Sequence, residues 1–166
     1  MTGDTRRPAS PAEKTNAMRA LDARRIPYET YTYPPELHSA VDVARHLGLP
    51  PDHVYKTLVV LRDRGRPMLV MVPGNLELDE RLFARSVGEK HVAMAPKVEA
   101  ERLTGLQVGG IGALALIGKR FDVFLDQRAE ALETILVNGG RRGLNLRLRV
   151  DQLRAITGAG SVEATA

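Results

Sequence analysis

Cysteine is absent from the 166-residue chain, and so is tryptophan. The first absence removes disulfides, thiolate metal sites and cysteine nucleophiles together, and leaves no sign of an oxidising compartment. The second, with aromatic residues at only 4%, argues against a stacking platform for long single strands of nucleic acid. No apolar run reaches membrane-spanning length, and the opening stretch MTGDTRRPASPAEK lacks the apolar core of a signal peptide. A cytoplasmic protein with no membrane partner is the expectation. Proline and glycine are scattered rather than tandem, which excludes collagen-like and low-complexity chains. A Walker loop, a G-x-G-x-x-G turn between strand and helix, an H-E-x-x-H pair and a G-x-S-x-G elbow are all missing.

What remains is 43% hydrophobic, enough for a sizeable core in a chain of one-domain length. The net charge is +4. That is less than a dedicated duplex-DNA binder carries, so DNA is not an expected partner. The excess fits either a polyanionic partner or ordinary solubilising surface charge.

Residues 1–9 read as a disordered tail, 10–158 as one folded domain and 159–166 as a flexible tail. Ser10, Pro11 and Glu13 form a capping-box pattern for a first helix carrying Ala17, Met18 and Leu21 and ending at Pro27. Tyr28 to Tyr33 has β composition and stops at Pro34–Pro35. Ser39 with Asp42 opens a second helix that Gly48 closes. Val54 to Leu61 and Met68 to Val72 read as a hairpin across Arg62–Arg66. Helices are expected at Leu78–Val87, Lys97–Leu103 and Asp151–Thr157, and strands at Phe121–Leu125, Thr134–Val137 and Leu144–Val150. The expected fold class is α+β, one domain built on a mixed, largely antiparallel, barrel-like sheet surrounded by helices.

The four histidines, His38, His46, His53 and His91, show no paired ligand spacing, so no metal site and no cofactor are expected. Lys56 breaks a local rule. Period-two alternation sets it on the face of Leu58 and Val60, where a lysine either snorkels from a strand end or points its ammonium into a cavity. A buried ammonium needs an anionic or carbonyl partner, because an unpaired buried charge is costly. The run Gly105-Leu106-Gln107-Val108-Gly109-Gly110-Ile111-Gly112 can turn successive N–H groups toward one oxygen, or can simply make a bend. The same two options hold for Asn138-Gly139-Gly140-Arg141-Arg142-Gly143, where the arginines could contact phosphate or sit solvated in a hairpin turn. Lys119 and Arg120 are further candidates for phosphate contacts.

In this order the segments resemble the YbaK family, free-standing relatives of the editing domain inserted in bacterial prolyl-tRNA synthetases. The matching stretches are Lys14–Asp22, Leu47–Leu58, Val92–Ala95, Glu101–Gly110 and Gly139–Leu144, spanning roughly residues 14–158. The resemblance implies an aminoacyl-tRNA deacylase that receives the 3′ aminoacyl-adenosine of a charged tRNA, with prolyl-tRNA synthetase a possible partner. The family's essential lysine falls on Lys56 with Thr57 beside it, its tyrosine on Tyr33 and its glycine loop on Gly109 and Gly110. Asn138 and Gly139 fall among the substrate-binding positions. Three residues depart from the family pattern. The glycine loop continues Gly110-Ile111-Gly112-Ala113 instead of Gly-Gly-x-Ser-Pro, Asn138 stands for a serine, and Asn145 stands for an acidic residue. Cysteine on tRNA(Pro) is the first expected substrate, with alanine or serine as alternatives. A tRNA- or synthetase-binding module without hydrolysis, and a small-molecule-binding protein of the same fold, remain open at this point.

Overall fold

Two β-sheets organise the chain. The computed structural model describes residues 14–166. In chain order it runs α1 (Asn16–Ala23), β1 (Glu29–Thr32), α2 (Ala40–Leu47), β2 (Tyr55–Arg62), β3 (Met68–Pro73), α3 (Glu80–Ser86) and β4 (Val92–Met94). It continues through α4 (Lys97–Thr104), β5 (Asp122–Asp126), β6 (Thr134–Asn138), β7 (Leu144–Arg149), α5 (Val150–Thr157) and β8 (Gly160–Val162). One sheet has the order β1-β7-β6 and is wholly antiparallel; the other has the order β4-β2-β3-β5-β8, antiparallel as far as β3 and parallel beyond it. A single parallel bridge between Val54 and Leu136 joins them, curling the two sheets around a shared core in a barrel-like manner. The mixed, largely antiparallel α+β domain expected from the sequence is what forms.

The main core fills the space between the sheets. Met18 and Leu21 of α1, Leu69 and Met71 of β3, Leu144, Leu146 and Leu148 of β7, and Leu153 of α5 all meet there. A second cluster, with Phe83 against Phe124 edge to face, covers the opposite side of the larger sheet. Strand β3 is therefore buried on both faces, which is why its sequence is an unbroken apolar run rather than an alternation. Helix α2 packs Val43 and Ala44 on Tyr31 and Leu136, covering the smaller sheet from outside.

Local signals account for most element ends. Ser39 accepts from the Asp42 amide at 3.0 Å, and Gly48 closes α2 at φ 69°, in the left-handed region that favours glycine. The box at Ser10–Glu13 lies outside the described residues. The helix that is described starts later, with Thr15 as its cap accepting from Met18 N at 3.2 Å. It also ends at Ala23 rather than at Pro27, because the chain turns at Arg25 with φ 55°.

Residues 159–166 correct the expectation of a flexible tail. Gly160–Val162 pair in parallel with β5, and the Asp79 amide donates to the Ala164 carbonyl at 2.8 Å. The Thr165 hydroxyl donates at 2.7 Å to the carboxylate of Asp126, itself 1% exposed. A three-residue strand of glycine, serine and valine is too short to show alternation, which is why the sequence conceals it. Strand β4, also three residues long, was hidden for the same reason.

Candidate functional site

The seam between the sheets opens a cavity. Val54 bridges to β6, and β2 then leaves the seam carrying Tyr55, Lys56 and Thr57. The seam is held tight by Gly74, whose amide donates to Val54 O at 2.7 Å. A Cβ on Gly74 would lie 2.4 Å from the Ala40 methyl, so a larger residue would force α2 and β3 apart. The cavity beside this seam has a volume of about 360 Å³. Five of the seven site residues read from the sequence line it: Tyr33, Lys56, Thr57, Gly109 and Asn138.

Lys56 takes neither of its two sequence options in pure form. Its side chain is 25% exposed at the cavity edge, and its ammonium lies 3.3 Å from Glu77 Oε1. The Glu77 side chain is 88% exposed, so this pair is worth only about 0–1 kcal/mol and releases the lysine readily to a ligand. Behind it the hydroxyls of Thr57 and Tyr55 are buried with no hydrogen-bond partner among the described residues. An unsatisfied buried hydroxyl costs about 1–3 kcal/mol, so the wall behind Lys56 carries a polar deficit. Burial drives the Tyr55 hydroxyl far above the ordinary tyrosine range, and the charges of Asp126 and Asp52 push the same way. Tyr33 is also raised by burial, with partial relief from the Gly143 amide. Both therefore stay protonated donors at neutral pH.

The glycine loop forms the facing wall. Helix α4 ends at Gly105, and the Gly110 amide then closes a turn onto Gln107 O at 2.7 Å. Gly109 has φ 93°, a conformation that side-chain-bearing residues rarely adopt. Asn138 latches this loop to the β6–β7 turn. Its Nδ2 donates to Gly109 O at 2.9 Å and to Arg141 O at 3.3 Å, while its Oδ1 accepts from Gly140 N at 2.7 Å. Arg142 Nε adds a bond to Val108 O at 2.8 Å. The amides of Gly109, Ile111 and Gly112 have no acceptor among the described residues, and Gly109 and Ile111 line the cavity.

Gly110 and Gly139 do not line it. The Gly110 amide is already engaged, and this residue faces a separate depression shared with Arg141 and Arg142. A Cβ there would sit 3.2 Å from Arg142 N, so this glycine permits the close approach of two loops. Gly139 closes the β6–β7 turn through Leu144 O at 2.8 Å and accepts from the Thr15 hydroxyl at 2.6 Å. Its added Cβ would meet the Leu144 side chain at 2.7 Å, a packing demand.

Other residues enter the cavity without a sequence signal. His38 precedes the α2 cap, Lys97 begins α4, and Met94 ends β4. Nothing in the spacing of these residues sets them apart from surface positions. Asn145 lines the cavity and is 5% exposed, and its side chain has no hydrogen-bond partner among the described residues. It lies directly across the ladder from Asn138. Among the described residues no helix is long and apolar enough to cross a membrane, and no three His, Cys, Asp or Glu side chains cluster to hold a metal ion.

Comparison with known proteins converges on one family. The model of the aminoacyl-tRNA editing domain matches residues 34–156, which contains every cavity residue except Tyr33. The Enterococcus faecalis protein named "Putative Cys-tRNA(Pro)/Cys-tRNA(Cys) deacylase EbsC" is 33% identical over 155 residues, 92% of this chain and 94% of that protein. The proline–tRNA ligase of Thermodesulfovibrio yellowstonii is 36% identical over 80 residues, 48% of this chain but 14% of the ligase. Among solved structures, "hypothetical protein APE2540" has a TM-score of 0.83 at 24% identity, covering 91% of this chain and 99% of that one. The structure of "a putative trans-editing enzyme for prolyl tRNA synthetase" has a TM-score of 0.77 at 24% identity, covering 96% and 99%. Those last two likenesses concern the fold; the matched family model and the long alignment to the Enterococcus protein carry the assignment. The chain belongs to the aminoacyl-tRNA editing domain family.

Proposed function

We propose that this chain is a trans-acting deacylase whose cavity takes the 3′ aminoacyl end of a mischarged tRNA, most readily Cys-tRNA(Pro). The observation that carries the reading is the meeting in one cavity of Lys56, the unpartnered Thr57 hydroxyl and the open amides of Gly109 and Ile111. Amides with no protein acceptor suit an ester carbonyl that gains negative charge as it is attacked. The Lys56 ammonium, held loosely by Glu77, orients the substrate through phosphate or the amino-acid end. Asn138 acts through the loop it latches, and Tyr33 and Thr57 supply hydroxyls to the bound end.

For a cysteinyl ester the substrate carries its own nucleophile. The thiol sulfur bonds to the ester carbonyl carbon, the carbon–oxygen bond to the ribose breaks, and the thiol proton passes to the released ribose hydroxyl. The products are a cyclic thioester and free tRNA, and the protein's share is positioning and charge stabilisation. Alanyl or seryl esters instead need a bound water. A prolyl-tRNA synthetase partner follows from the likeness to a segment of the proline–tRNA ligases, where such a domain is part of the longer chain.

A binding module without hydrolysis is the second reading, favoured by one observation: the Gly110 amide, which the family pattern offers to the carbonyl, is engaged by Gln107. Single-turnover assays on tRNA(Pro) charged with cysteine, alanine, serine or proline separate the two. Clearance of one mischarged species with proline spared supports the deacylase and identifies its amino acid. Binding of charged tRNA with no clearance, with and without the synthetase, replaces it with the binding module.

A further inference from the structure

The basic residues picked out in the sequence separate into two places. Arg141 and Arg142 stay beside the glycine loop, whereas Lys119 and Arg120 go to the far end of the larger sheet. Strand pairing makes that end a cluster. Arg62 pairs with Val92, which brings Lys90 alongside, and the turn after Arg62 carries Arg64 and Arg66. Met68 pairs with Asp122, and the Asp122 amide donates to Pro67 O at 3.2 Å, which brings Lys119 and Arg120 to the same edge.

The carboxylates nearby are mostly occupied. The half-buried Arg62 guanidinium binds both Glu89 at 3.1 Å and Asp122 at 2.7 Å. Arg64, Arg66, Lys90, Lys119 and Arg120 are exposed, and their side chains have no partner among the described residues. Among the described residues only Asp63 is left to oppose them. Six cations against three carboxylates give this end a net +3, in a chain whose whole net charge is +4.

We infer that this end of the sheet, formed by Arg64, Arg66, Lys90, Lys119 and Arg120, is a docking surface for the phosphate backbone of the RNA whose 3′ end enters the cavity. This rests on the deacylase reading for the identity of the RNA. Arg62 lies six residue steps along β2 from Lys56, about 20 Å. That distance lies beyond a terminal nucleoside seated at Lys56 and suits phosphates further along the same molecule. A protein partner is the poorer fit, because protein interfaces centre on apolar or aromatic anchors. Of the five cations Lys119 alone lines an apolar depression, with Ile117, Phe121 and Val123, and none of the exposed large hydrophobic residues among those described belongs to this edge. The exposed large hydrophobic residues among those described are Met94, Val98 and Val108, of which Met94 and Val108 line the cavity. Contacts from exposed cations alone favour a polyelectrolyte, read without regard to sequence.

The test is the fourfold variant Arg64→Ala, Arg66→Ala, Lys119→Ala and Arg120→Ala, which removes no side-chain bond among the described residues. Affinity for uncharged tRNA is measured by fluorescence anisotropy at several salt concentrations. Turnover is measured on an aminoacylated CCA trinucleotide, too short to reach the patch. The expected result is weaker tRNA binding and a slope of log affinity against log salt shallower by about 3, since each lost phosphate contact removes about 0.7–0.9. Turnover of the short substrate should not change. Wild-type affinity and slope in the variant would overturn the proposal, and loss of prolyl-tRNA synthetase association at unchanged tRNA affinity would reassign the patch to a protein. If wild type clears neither substrate but binds tRNA through the patch, the deacylase reading fails and the docking surface stands.

Discussion

Replacing Asn138 by alanine should loosen the glycine loop without emptying the core. The side chain makes three hydrogen bonds, at 2.7, 2.9 and 3.3 Å, and they tie Gly109, Gly140 and Arg141 into one unit. Net contributions of about 0.5–1.5 kcal/mol each, with the long bond worth least, give a loss of about 2 kcal/mol. For a chain of this size each kcal/mol moves Tm by about 2–4 °C, so a fall of roughly 4–8 °C is expected. Hydrogen exchange at residues 107–112 should accelerate more than exchange in β3, because the latch acts on the loop. Under the proposed function, turnover should fall roughly ten- to a hundredfold, the scale on which a small misplacement of positioning groups acts. Asn138→Asp retains the acceptor for Gly140 and loses the donor to Gly109, so it should show the loop effect with a smaller loss of stability. A change below about 0.5 kcal/mol in Asn138→Ala, with unaltered exchange, would refute the reasoning: the Gly110 and Arg142 bonds would then hold the loop alone.

Deleting residues 160–166 should cost about 3–5 kcal/mol in urea unfolding, from exposure of the Val162 site and loss of the Thr165 donor to buried Asp126. A loss below about 1 kcal/mol would restore the flexible tail. Stability should also fall in alkali. Tyr28 is raised to about 12, by burial first and then by Asp22, and Tyr55 is raised further. Tyrosine in the unfolded chain ionises near 10, so the stability these groups confer is complete below about pH 10 and is lost as pH rises through 12. Ultraviolet titration of tyrosinate alongside unfolding curves checks this, and Tyr28→Phe with Tyr55→Phe should flatten the alkaline limb. An unchanged limb in that double variant would contradict the assignment.

The sequence carried the elements whose signals are local. The Ser39 cap, the Gly48 helix end and the β2–β3 hairpin all follow from residues within one turn or strand. The fully buried β3 was legible as an apolar run, whereas β4 and β8, three residues each, derive their existence from neighbours distant in sequence. The site divided in the same way. Lys56 stood out because a charge interrupted a strand, and Gly109 because glycines clustered. Gly110 and Gly139 stood out equally, yet there the glycine serves close packing, a distinction that depends on Arg142 and Leu144 approaching from elsewhere. His38 and Lys97 carried no signal because one precedes the α2 cap and the other begins α4, both ordinary positions, and only the seam between the sheets brings them to the cavity.

The central claim is that Lys56 makes the cavity a deacylating site rather than a pocket of the same shape. Single-turnover clearance of Cys-tRNA(Pro), or of whichever mischarged species wild type prefers, by wild type and Lys56→Ala tests it most directly. Among the described residues the only bond the substitution removes is the exposed pair to Glu77, so folding should be intact and Tm nearly unchanged. The predicted result is a loss of clearance by a hundredfold or more, with tRNA affinity little altered because Lys56 supplies at most one phosphate contact and the proposed docking surface supplies the others. Clearance at the wild-type rate by a folded Lys56→Ala protein would contradict the account.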